Sequence, residues 1–168
     1  MSFSMYQASI PVFVRMFGNL SAILDKAAAF AEAKKIDPAV LINARLAVDM
    51  LPLSKQIQIA SDAAKGAGAR LTGSEVPSFA DTETTFPELQ ARIARTVDFL
   101  RGLDAALFDG CETREIVLKL AAGEVALKGD AYLLHFVLPN FYFHVTTAYA
   151  ILRHNGLDLG KTDYLGTV

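Results

Sequence analysis

Cysteine is nearly missing from this chain. Cys111 stands alone, so no internal disulfide holds the fold, which accords with a reducing, cytoplasmic setting. No block of basic residues appears and the formal net charge is −2, which argues against nucleic acid as a partner. The opening stretch MSFSMYQASIPVF has no charged segment leading into an apolar one, so no signal peptide is expected. Internal repeats and low-complexity tracts are lacking too. So are the common catalytic signatures: no Walker motif, GxGxxG, CxxC, HExxH or GxSxG elbow occurs. Cys111, in FDGCETRE, has no basic cluster beside it to activate a thiolate.

What is present is hydrocarbon in helical rhythm. The chain has 168 residues, 52% of them apolar, which excludes disorder and suits one domain, residues 1–168, with a substantial core. Residues Met5 to Lys34 read as one long helix, with Ile10, Phe13, Phe17, Leu20, Leu24 and Ala31 at steps of three and four. Pro11 should place the start of its regular part nearby. Asp37-Pro38 reads as a cap and first position of a short helix. A second long helix is expected over Leu53–Leu71, where Gly66 and Gly68 either weaken it or admit a close neighbour. Gly73 to Phe86 reads as a loop. A third long helix follows Pro87, with Leu89, Ile93, Val97 and Leu100 inward and Arg92, Arg95 and Asp98 outward. Near REIVLKLAAGEVALKGD the period changes to rough alternation, predicting a hairpin over about 114–121 and 123–128.

The run DAYLLHFVLPNFYFHVTTAYAILRHNG, residues 130–156, is apolar nearly all round. His135, Asn140, His144, Thr146 and Thr147 interrupt it, so it reads as a buried helix rather than a membrane span, which needs roughly 20 apolar residues. Asp130 is the expected N-cap and Gly156 the closing residue, with a kink or a break at Pro139. The architecture predicted is mainly α, a four-helix bundle with a small β-hairpin before the last helix.

Few residues offer chemistry. His135 and His144 lie about 180° apart on an ideal helix and cannot share a site there. His154 suits the helix C-terminus. Asn140 and His144, four apart, point the same way and can converge on one ligand. Asp49, in LAVDMLP, is either a local cap or partner of Arg45, or a carboxylate turned inward toward His144. Tyr142 belongs to an aromatic stripe whose hydroxyls can line a pocket.

HVTTAYAILRHNG followed by LDLGKTDYLG resembles the end of a bacterial domain-of-unknown-function family, a branch of the DinB/YfiT-like metalloenzyme superfamily. MYQASIPVFVRMFGNLSAILDKA, RLAVDMLPLSKQIQIASD, VPSFADTETTFPEL and REIVLKL resemble the same branch. The resemblance implies a four-helix bundle, often a homodimer, with a central site. In the wider superfamily a histidine from the second helix and an HxxxH pair from a late helix hold a divalent metal such as zinc or nickel. Matched on Leu152-Arg153-His154-Asn155-Gly156, His144 falls on the second histidine of that pair, Asn140 on the first, and the second-helix ligand near Asp49. Two readings follow: a divalent-metal enzyme with an altered ligand set of Asp49, Asn140 and His144, or a non-catalytic small-molecule-binding or dimerisation module.

Overall fold

The computed structural model describes residues 4–120 and 123–167. Helix α1 spans Met5–Lys34. It starts on a capping box in which the Gln7 amide donates to Ser4 Oγ at 3.2 Å and the Ser4 amide to Gln7 Oε1 at 3.1 Å. Pro11 therefore lies inside the helix rather than at its beginning. Its ring is exposed, so the local loss is one backbone bond, to the Gln7 carbonyl. Asp37 caps α2, Pro38–Ile42, by accepting from the Ala39 amide at 2.9 Å. Helix α3 covers Leu53–Thr72 and α4 covers Phe86–Arg101, the latter opened by a Thr85/Glu88 capping box. Gly68 does admit a close neighbour: a Cβ there would sit 2.6 Å from Leu103 Cδ1 and 3.1 Å from Leu100 Cδ2.

Side-chain contacts give the helix directions. Gln90 of α4 bonds Ser21 and Asp25 of α1, while Val14 and Arg101 line one groove, so α1 and α4 are antiparallel. Ser61 meets Thr96 at 2.7 Å and Gly68 meets Leu100, so α3 and α4 are parallel. A parallel pair needs a connection that climbs back along the first helix. Twenty residues of α3 rise about 30 Å, which roughly a dozen extended residues can span. Residues 73–85 do this, and Arg92 is what ties them down. Expected to face solvent, Arg92 is instead fully buried. Its guanidinium pairs with Asp62 at 2.8 Å, Asp81 at 3.0 Å and Glu83 at 3.2 Å, and donates to the Ala80 carbonyl at 3.1 Å. The amphipathic pattern of α4 missed it because the returning loop covers a face the pattern assigned to water.

The hairpin is present, β1 Glu115–Leu120 paired antiparallel with β2 Gly123–Lys128, and Ile116 and Leu118 are turned into the core. Gly129 follows, where a Cβ would overlap the Cys111 carbonyl oxygen at 1.9 Å. One turn of helix, α5, Gly129–Ala131, leads into a widened π-type segment, Tyr132–Val137, and then α6, Leu138–His154. Asp130 is thus not the N-cap, since Lys128 precedes the first turn; Asp130 accepts from the Ala131 amide at 2.6 Å. The break expected at Pro139 takes the form of this widened turn, which ends as the proline enters α6. Gly156, at φ 93°, lies just beyond the helix end.

Phe141 of α6 is fully buried between Phe13 and Phe17 of α1, edge-on at 4.9 and 5.3 Å. With Phe30 approaching Gly156, these contacts make α1 and α6 parallel. The order is up, down, down, up. A last short helix, α7, Lys161–Leu165, docks on α1 through Lys26–Asp163 at 2.6 Å and Asn19 Nδ2 to the Tyr164 carbonyl at 2.9 Å. Among the described residues no helix is long and apolar enough to cross a membrane.

Candidate functional site

Antiparallel packing of α3 against α6 makes a polar ladder along one face of the bundle. At the α3 start, Gln56 faces His144; near the α3 end, Arg70 faces Tyr132. Between them Ile59, Asp62 and Ala63 of α3 and Asn140 of α6 line a groove of about 200 Å³, closed on one side by Leu118 and Lys119 of β1.

His144 is 8% exposed and its Nδ1 lies 2.7 Å from Gln56 Oε1. Gln56 Nε2 donates to the Leu51 carbonyl at 2.9 Å. A carbonyl only accepts, so it orients the Gln56 amide with its oxygen toward the imidazole. Nδ1 therefore carries the proton, and the neutral ring keeps its lone pair on Nε2. Burial pushes the His144 pKa below its ordinary 6.5, because charging the ring there loses hydration. The folded value lies below the unfolded one, so between the two the unfolded chain binds more protons. Stability should therefore fall as pH drops from 7.5 through 6.5 toward the lower folded value. His144→Asn, whose amide nitrogen keeps the donor to Gln56, should flatten that slope in urea titrations; an unchanged slope would locate its cause elsewhere.

The structure separates the other sequence candidates. Asp49 is exposed in the turns between α2 and α3 and makes no hydrogen bond or ion pair with Asn140 or His144 among the described residues. Of the two readings of LAVDMLP the inward carboxylate does not occur; Gln56, seven positions on, meets His144 instead, because α3 begins only at Leu53. Asn140 is half-buried in the groove, one turn from His144. Tyr142 is turned away: it is 36% exposed and edge-on to Phe141 at 5.7 Å. The tyrosine that does reach the groove is Tyr132, 1% exposed, whose hydroxyl accepts from Arg70 at 3.2 Å. His135 and His154 are exposed, the latter in the last turn of α6 where the dipole favours it. Cys111 is buried, and burial raises its thiol pKa, which leaves it unreactive at neutral pH. Gln56 had a signal in the sequence: it lies on the helix after Pro52 at a position whose neighbours Leu53, Ile57 and Ala60 are apolar.

A divalent transition metal would need more than this set offers. Gln56 Oε1 is engaged by Nδ1–H, Asn140 is a weak ligand for zinc or nickel, and among the described residues no three His, Cys, Asp or Glu side chains gather. The donor set does not fit the metal that the bundle's resemblance implies.

The up-down-down-up helical bundle with a hairpin before its last long helix has a DinB-type fold. It matches the crystal structure of a DinB family member protein from Shewanella denitrificans with a TM-score of 0.92 and 46% identity, over 98% of this chain and 93% of that one. The chain belongs to DUF1993, a family described as a domain of unknown function, whose pattern matches residues 5–165. No curated protein matches it.

Proposed function

We propose that this chain is a non-catalytic small-molecule-binding member of the DinB-type bundles, its site the groove between α3 and α6, working without a resident transition metal. What supports the reading is the Leu51–Gln56–His144 relay: the α3 side chain that meets His144 orients the imidazole and is not a metal-binding histidine or carboxylate. A neutral His144 is a fixed hydrogen-bond acceptor at Nε2, one turn of α6 beyond the groove-lining Asn140. In a catalytic triad a carboxylate orients the imidazole; here the neutral Gln56 amide holds that place. Asp62, the carboxylate that lines the groove, is held by Lys65 at 2.9 Å and Arg92 at 2.8 Å.

Isothermal titration of the metal-stripped full chain with zinc and with nickel tests the metal-free part. The expected result is no saturable stoichiometric binding and no rise in Tm. One equivalent of either ion, bound tightly and lost in His144→Asn, would sink the reading and restore the metalloenzyme alternative.

A further inference from the structure

The α3–α6 groove has an electrical polarity that specifies its ligand. At its lower end stands Arg70, a guanidinium with five N–H donors. Its one hydrogen bond among the described residues goes to Tyr132, and no carboxylate of the described residues pairs with it. Room for it is made by Gly66, where a Cβ would lie 2.4 Å from Arg70 Nη1. The Tyr132 hydroxyl accepts from Arg70, so its own proton is left to donate. Lys119 adds a second cation at the rim, its side chain 85% exposed and only loosely paired with Glu124 at 3.8 Å. The one carboxylate of the lining, Asp62, is compensated by Lys65 and Arg92 of the buried network on the α4 side, so Arg70 is the uncompensated charge of the groove. The remaining walls are apolar, Ile59, Ala63, Leu118, Phe136 and Val137, with the Asn140 amide the one polar interruption.

We propose that this groove binds a small monocarboxylate with a short apolar body, its carboxylate on Arg70 and the Tyr132 hydroxyl and its hydrocarbon along Ile59, Phe136 and Val137. The proposal rests on the binding reading above and names the ligand class for that site. A planar guanidinium beside a phenol proton matches two carboxylate oxygens. A neutral ligand would leave Arg70 unpaired against a partly apolar wall, and a cation would be repelled by it. A phosphate monoester, which carries nearly two charges, would meet one firmly held cation and a mobile lysine. The groove's volume of about 200 Å³ limits the body to roughly the size of a six-carbon chain or a single ring.

The test uses the full chain, isotope-labelled, titrated with butanoate, hexanoate and phenylacetate, and in parallel with hexan-1-ol, hexylamine and hexyl phosphate, while amide and side-chain resonances of Arg70, Tyr132 and Asn140 are followed. At least one carboxylate is expected to shift these saturably, with the alcohol and amine weaker. Arg70→Gln should weaken that binding about tenfold or more with Tm nearly unchanged. Tyr132→Phe should weaken it less, and Lys119→Ala least. Binding of the alcohol or amine as tight as that of the carboxylates, preferential binding of the phosphate, or indifference to Arg70→Gln would overturn the carboxylate assignment while leaving a binding groove. No saturable shift with any of the six probes would overturn both.

Discussion

Arg92→Met should destabilise the protein by about 3–5 kcal/mol, the loss expected when one partner of a buried ion pair is removed. Methionine fills much of the same volume, so the loss is electrostatic rather than a cavity. Glu83, 5% exposed at its side chain, would be left with Arg95, a pair stretched to 3.6 Å, and with the Gln58 amide at 2.9 Å. Asp81 and Asp62 are less affected because each is partly solvated and keeps a lysine. Burial by itself would raise the Asp81 pKa, but Lys55 and Arg92 hold it below 3.8. At about 2–4 °C per kcal/mol for a chain of this size, Tm should drop on the order of 10 °C. Proteolysis should then cut first within residues 73–85. Two comparisons isolate the cause. Lys55→Ala, which removes an exposed pair, should cost no more than about 1 kcal/mol. Arg92→Met combined with Glu83→Gln should recover part of the loss, because no buried charge is left unpaired. A drop under about 1 kcal/mol for the single variant would mean that the loop is held by its backbone and by Phe79, whose ring meets Arg95 at 4.7 Å and Lys65 at 5.2 Å.

Phe141→Ala should lose a similar amount, about 3–5 kcal/mol, for a different reason. The ring has no exposed surface and sits edge-on to both Phe13 and Phe17, so its removal opens a cavity that two neighbouring rings cannot collapse to fill. Because Phe141 adjoins Asn140 but points to the opposite side, the substitution separates stability from binding. Urea denaturation should show the lower midpoint, and the folded fraction should still bind in the α3–α6 groove. A loss below about 2 kcal/mol would show that α1 and α6 close around the gap.

Much of the architecture was legible because its signals are local and periodic. The spacing of Ile10, Phe13, Phe17 and Leu20 marks α1, Asp37-Pro38 marks α2, and the alternation around Ile116 and Leu118 marks the hairpin; each needs only the residues nearby. The site was half legible. His144 and Asn140 share a face because they lie in one stretch of regular helix, where four residues return the chain to the same side. Asp49 was misplaced because the residues from Asn43 to Pro52 carry no period, so nothing in them says which way a side chain turns. Arg92 was misplaced because its environment is made by a loop that returns from another helix end, and no spacing within α4 announces that. Tyr132 shares the aromatic stripe with Tyr142 and Tyr149, and spacing did not say which hydroxyl reaches a pocket, because angles counted at 100° per residue do not carry across a π-type turn.

That widened turn has a consequence for how the groove is assembled. Eight positions of plain α-helix would leave Tyr132 and Asn140 about 80° out of phase. The segment Tyr132–Val137, bonded five residues apart, unwinds enough that both side chains reach the same groove. The wider pitch thus acts as a gear tooth, bringing the Tyr132 hydroxyl and the Asn140 amide into step. A chain one residue shorter there would hold the same two side chains in phase on plain α-helix, because seven positions return to within about 20° of the start.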